Sequence, residues 1–309
     1  MRRLLLVGFL TFSLGCPAAQ ATWVLTFQDE FDGPANSAPA AHWKLKNERW
    51  KANQELQVYT NRLENVFLDG QGHLILRAKE EVYTLGGETG NYTSGRISTA
   101  LYHGDIPTFS QQYGKWEARL KAPVGNGLVS SWWTVGTTGF WPGNGEVDIV
   151  ELVGRYLDKM FLGLHAAKSD GSHYAVLKTV TRANMVNAWH IHTLLWEPGK
   201  LTWLTDGAVS GWTLTKEVVG VPPRVWPFDD QPHRPILCLS VGGTFGGAPD
   251  GSTVFPADLL VDYVRVYADS AVPAPTPTPT PTPDAREMAR QKLIGLGMTA
   301  NEADVTVNP

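Results

Sequence analysis

The chain has 309 residues, 43% of them hydrophobic, with 12 tryptophans and a formal charge of -4. That is ample apolar material for one large core, and the length allows one or two domains. The near-neutral charge comes without a basic cluster, which argues against nucleic acid as a partner.

At the N-terminus, Arg2 and Arg3 precede an apolar run from Leu4 to Leu14, and Ala19-Gln20-Ala21 offers a small-x-small cleavage site. This pattern predicts a signal peptide over residues 1–21 and a secreted or periplasmic protein that starts at Thr22. The run is too short for a stable membrane span. A rival is lipid attachment at Cys16, but Ser13-Leu14-Gly15-Cys16 lacks the aliphatic residue expected three positions before the cysteine. With Cys16 removed, Cys238 has no partner for an intrachain disulfide, so the core must hold the fold.

Residues 22–270 form a succession of short β-rich segments separated by Gly, Asn, Asp and Pro. Strands are expected at Trp23–Phe27, His73–Lys79, Gly114–Ala122, Val147–Leu152, His192–Trp196, Lys200–Thr205, Ile236–Val241 and Leu259–Tyr267. In "GKWEARLKA", Trp116, Ala118 and Leu120 alternate with Glu117, Arg119 and Lys121, which marks a strand with one wet face. Long amphipathic helices are absent from the pattern, and many strands in one run predict an all-β sandwich or jelly roll. Residues 271–283 are a Pro/Thr-rich linker with polyproline II character. Residues 284–309 are a short tail of unknown role, too small for a core of its own.

"GNGEVDIVELVG" places Glu146, Asp148 and Glu151 in a stretch that otherwise reads as a buried strand. Alternation puts Glu146 and Asp148 on one face, whereas Glu151 falls out of step. One extra residue at Ile149-Val150, a β-bulge, returns Glu151 to the side of the other two acids. Three acids on a solvated edge strand would need no further account, but the flanking apolar residues place this strand deep in a sheet. Trp132, Trp133, Phe140 and Trp141 lie just upstream. Aromatic faces beside paired carboxylates suit a sugar ring. Crowded acids also keep one proton near neutrality, which glycosidic cleavage requires. His190 and His192 share a face at strand spacing, but no third zinc ligand accompanies them.

"GEVDIVE" resembles the active-site signature of glycoside hydrolase family 16 in its bulged Glu-x-Asp-x-x-Glu form. "FQDEFDG", "ANQELQVYT", "LENV", "YTSGRIST", "YGKWEARLK", "HIHTLLWEPGKLTWLTDG", "SVGG" and "VDYVRVY" are similar to family segments and follow the family's order. The resemblance implies a concanavalin A-like jelly roll with a carbohydrate cleft on its concave face. It implies Glu146 as nucleophile, Glu151 as acid/base, and Asp148 between them as a hydrogen-bond partner of the nucleophile. Asn53, Glu55, Arg96, Trp132, Trp141 and His165 match substrate-binding positions. Glu30 and Asp262 match side-chain positions of a structural calcium ion, and no cofactor is expected for catalysis. The implied activity is an exported, retaining endo-β-glucanase acting on β-1,3-glucan, with the polysaccharide as the expected partner and a monomer as the expected state. Mixed-linkage β-1,3-1,4-glucan and agar- or carrageenan-type galactans are alternative substrates, and a non-catalytic glucan-binding lectin is the alternative outside enzymes. Two departures bear on linkage: "GNGLVSSWWT" stands where laminarinase-like members have "WPAFW", and Cys238 stands where an asparagine is usual.

Overall fold

The computed structural model describes residues 22–102 and 104–271. The expected signal peptide and tail, and the expected linker beyond Ala271, lie outside the described residues. The first strands are β1 (Trp23–Asp29), β2 (Lys44–Leu45), β3 (Glu48–Arg49), β4 (Gln57–Tyr59), β5 (Val66–Leu68) and β6 (Leu74–Leu85). Then come β7 (Glu88–Ser94), β8 (Arg96–Ser98), β9 (Gly114–Lys121), β10 (Leu128–Gly136), β11 (Glu146–Val153) and β12 (Lys159–Ala167). The last are β13 (His173–Thr181), β14 (His190–Glu197), β15 (Lys200–Thr205), β16 (Ala208–Thr215), β17 (His233–Val241) and β18 (Ala257–Asp269). The helices are single turns, α1 (Lys216–Val219) and α2 (Gly243–Gly246), with a 3-10 turn at Ala52–Gln54.

The strands form two sheets, as the pattern of short alternating segments predicts. The smaller has seven strands in the order β13-β12-β11-β10-β17-β8-β2. The larger has eleven, in the order β16-β15-β14-β9-β18-β6-β7-β4-β3, with β1 added on β18 and β5 on β6. Between them lies a core that includes Trp116, Trp132, Trp196, Trp203, Leu74 and Leu164. Strand β9 buries Trp116, Ala118 and Leu120 while Glu117, Arg119 and Lys121 remain half-buried on the outer face. That alternation lets the larger sheet face the core on one side and water on the other. Among the described residues no helix is long and apolar enough to cross a membrane.

The bulge expected in β11 is present. Trp132 pairs with Val150 and Trp133 with Asp148, which leaves Ile149 as the extra residue. On the other edge, pairing with β12 breaks between Asp148 and Glu151. Ile149 and Val150 both join the core, so the strand spends two successive side chains on the same side and regains its phase at Glu151. The carbonyl of Asp148 accepts a hydrogen bond from the indole nitrogen of Trp203 across the core (2.8 Å). A buried carbonyl beside an interrupted ladder thus keeps a partner.

Glu30 and Asp262 lie on the outer side of the larger sheet, where each already faces an arginine. Arg265 grips Glu30 with two hydrogen bonds of 2.7 Å, and Arg119 pairs with Asp262. A calcium ion held by these two side chains would have to displace both guanidinium groups, so the donor set as folded does not fit one.

Candidate active site

Directly opposed residues of an antiparallel pair share a face, so the register of the smaller sheet gives a map of its outer surface. Glu151 lies in line with Ser131, Cys238 and Arg96 on one side and Phe161 on the other. Asp148 lies in line with Trp133, Ile236 and Ser98, and with Gly163. Glu146 lies in line with Val135 and Arg234, and with His165. The three acids therefore mark three successive steps along the middle of a sheet whose other face is core.

The surroundings of the acids differ. The indole nitrogen of Trp141 donates to Glu146 Oε2 (2.7 Å), from a loop position where the ring is half exposed. Asp148 is 4% exposed, and its Oδ2 lies 3.2 Å from His165 Nε2, near enough for an ion pair but poorly aligned for a hydrogen bond. Gly163 makes room for that carboxylate, because a Cβ there would stand 2.5 Å from Asp148 Oδ2. Among the described residues Glu151 has only Ser131 Oγ, at 3.5 Å, beyond a normal bond length.

Burial first, and then the charge of Asp148, push the Glu146 carboxyl up to about 8, against the pull of His165 and Trp141. Burial and the charges of Asp148 and Glu146 hold Glu151 well above the usual carboxylate range, with little to oppose them. Three crowded acids thus carry fewer than three charges, and the proton is best retained on Glu151. His165 is raised: burial pulls it down, but contact with Asp148 and the charges of Asp148 and Glu146 outweigh that.

The other expected binding residues fall on both sides of the acids, with one exception. Glu55 bridges to Gly242 and accepts from Gln57 Nε2 (2.6 Å), and its charge reaches Glu151. Asn53 is exposed in the adjoining turn with φ 56°, and its carbonyl would stand 2.9 Å from a Cβ at Gly243. The Arg96 guanidinium sits over Trp50 (4.9 Å) and Trp133 (5.1 Å) and, among the described residues, pairs with no carboxylate. Trp132 is the exception and requires correction. It is 0% exposed and packs in the core opposite Val150 and Leu237, because alternation sends its neighbours Ser131 and Trp133 to the acid-bearing face.

Trp133, Trp50 and His173 are site residues that the sequence reading did not assign. The period of β10 would have chosen Trp133 over Trp132, since Trp133 shares parity with Ser131. Trp50 and His173 carry no such signal, because their neighbours come from other strands. His173 Nε2 lies 2.8 Å from His165 Nδ1. His190 pairs with Asp206 (2.9 Å), while His192 is buried with neither ring nitrogen bonded, so the two do not form a ligand pair.

Two carboxyl groups of unequal proton affinity on the open face of a β-sandwich, flanked by indole rings, define a glycoside hydrolase. Residues 46–243 match the family model of glycosyl hydrolases family 16, and the chain belongs to that family. It is 34% identical over 263 residues to a β-glucanase of Rhodothermus marinus, covering 79% of this chain and 85% of that one. It is 30% identical over 283 residues to glucan endo-1,3-β-glucosidase A1 of Niallia circulans, covering 83% of this chain and 40% of the relative's length. The fold superposes on the catalytic domain of an endo-1,3-β-glucanase (laminarinase) from Thermotoga petrophila with a TM-score of 0.70. That likeness carries 30% identity and covers 81% of this chain and 100% of the other.

Proposed function

We propose that the chain is an exported endo-β-glucanase that cuts β-1,3-glucan with retention of configuration. The observation that carries this reading is the inequality of Glu146 and Glu151 on one face of the bulged strand. Glu146, the acid with an indole donor and a nearby imidazole, is the more readily ionised and attacks the anomeric carbon. Glu151 gives its proton to the departing glycosidic oxygen as that bond breaks. In the second step Glu151, now a carboxylate, takes a proton from water, the water oxygen bonds to the anomeric carbon, and the ester to Glu146 breaks. Asp148 stays between the two, its charge adjusting the proton affinity of each.

The β-1,3 linkage is favoured by the relatives that bear that activity in their names. Indole faces at Trp133, Trp50 and Trp141 suit stacking on glucose rings. Export is supported by Arg2-Arg3, the Leu4–Leu14 run and Ala19-Gln20-Ala21.

The test is to incubate the mature protein with laminarin, barley mixed-linkage glucan, carboxymethyl cellulose and agarose and to count new reducing ends. Laminarin is expected to be cleaved to short oligosaccharides, and Glu146→Gln to abolish the cleavage while binding persists. Cleavage confined to mixed-linkage glucan or to agarose would transfer the protein to that substrate class. Tight binding with no new reducing ends would establish a lectin instead.

A further inference from the structure

Two side chains from outside β11 reach its acids, and both rest on a third. Trp141 donates to Glu146 Oε2 and His165 Nε2 lies beside Asp148 Oδ2. His173, the first residue of β13, touches both of them. Its ring is parallel to that of His165 within 5°, with centroids 5.1 Å apart, and its Nε2 is 2.8 Å from His165 Nδ1. The Trp141 ring covers it at 4.8 Å and 35°. We propose that His173 is a positioning residue, which holds the His165 imidazole and the Trp141 indole in the orientations that face Asp148 and Glu146. The inference rests on the hydrolase mechanism given above and assigns a role within it.

Two imidazole nitrogens at hydrogen-bond distance need a single proton between them. His165 is raised, whereas burial and then the charge of His165 lower His173. In the arrangement proposed, His165 Nδ1 carries the proton and donates to His173 Nε2, and when His165 is protonated its second N–H faces Asp148. An acceptor on one ring nitrogen fixes what the other presents. The charged groups that act on this pair are Asp148 and Glu146, both from β11, besides the two imidazoles themselves. A cation at His165 favours the ionised form of Glu146, and so does the Trp141 hydrogen bond. Loss of His173 weakens both supports in the same direction. Glu146 then keeps its proton to higher pH, and the acidic limb of the rate profile moves upward, while the basic limb, set by the proton on Glu151, stays in place.

The experiment compares pH profiles of kcat/KM on soluble β-1,3-glucan for wild type, His173→Ala and His173→Gln. A glutamine places an acceptor near the position of Nε2, so it tests the hydrogen bond apart from the imidazole. His173→Ala is expected to raise the acidic limb by about one unit, a tenfold loss of rate on that limb. His173→Gln is expected to recover most of the shift, and melting temperatures should match, since His173 is exposed. Ring 15N shifts of His165 read in parallel should show a protonated Nδ1 in wild type and the glutamine variant, and its loss in the alanine variant. Identical acidic limbs in all three proteins would overturn the proposal, as would a glutamine variant no better than alanine. Wild type inactive on every glucan would refute the hydrolase mechanism; the 15N shifts would then decide the His165–His173 contact by themselves.

Discussion

Glu146 and Glu151 share a strand, a burial and a charged neighbour, yet they differ in what donates to them. Glu146 has the Trp141 indole at 2.7 Å, while Glu151 has only a hydroxyl at 3.5 Å. A donor favours the anion, so Glu151 is the group that keeps its proton and has most to give. Glu151→Ala should therefore lose activity on polysaccharide but recover on an activated aryl glycoside when azide is added. Such a leaving group needs little proton donation, and azide replaces the activated water. The product to be measured is a glycosyl azide of retained configuration; an inverted azide or no azide effect would remove Glu151 from this role. The acids were legible in the sequence because their spacing alone demanded one extra residue. His173 was not, because it meets His165 from a neighbouring strand, and no local pattern records a contact across strands. The arginines that take up Glu30 and Asp262 were hidden for the same reason.

Of the expected strands, Lys200–Thr205 is found with the same bounds and the buried Ile236–Val241 falls inside β17, whereas β13 and β16, each with a wet face, were not among them. Strand β10 is the instructive one, since "SSWW" offers two adjacent tryptophans to two opposite surfaces. Trp132 enters the core at 0% exposure and Trp133 lies under the Arg96 guanidinium on the open face. The two should separate cleanly on substitution. Trp132→Ala is expected to cost ~3–5 kcal/mol of stability, the usual range for removing a large buried aromatic. Trp133→Ala should leave the melting temperature nearly unchanged and weaken glucan binding about tenfold, or ~1.4 kcal/mol. Thermal melts and oligosaccharide titrations on both variants check this, and an exchange of the two effects would reverse the assignment of the faces.

Across the whole molecule, groups strained in opposite directions shape the dependence of stability on pH. His192 and His233 are fully buried, and burial lowers both to about 3 from an ordinary 6.5. The unfolded chain binds their protons first, so their contribution is complete above 6.5 and is lost as pH falls toward 3. Glu146 and Glu151 are raised, Glu146 to about 8 from 4.5. The folded chain binds those protons first, so their burden is relieved as pH falls from 8 to 4.5. Between 6.5 and 4.5 the two pairs offset each other, and wild-type melting temperature should form a plateau there. Below it the histidines act unopposed, joined by carboxylates held low such as Glu81, at about 2. The double variant Glu146→Gln, Glu151→Gln removes the offset, and its melting temperature should decline from 6.5 downward. Parallel melting curves for the two proteins from pH 8 to 4 would contradict this balance.

The bulge of β11 also sets which losses of a single codon the strand can absorb. Removal of Ile149 or Val150 would join two regular stretches, and the three acids would still stand on one face, now by simple alternation. Removal of Val147 would instead turn Glu146 and Asp148 to opposite faces and send one charge into the core. Trp203, which now serves the Asp148 carbonyl, would face a carbonyl returned to the ladder. A gene for this fold can therefore lose a triplet at one place in its catalytic signature and keep the acids on a common face, and nowhere else between the two glutamates.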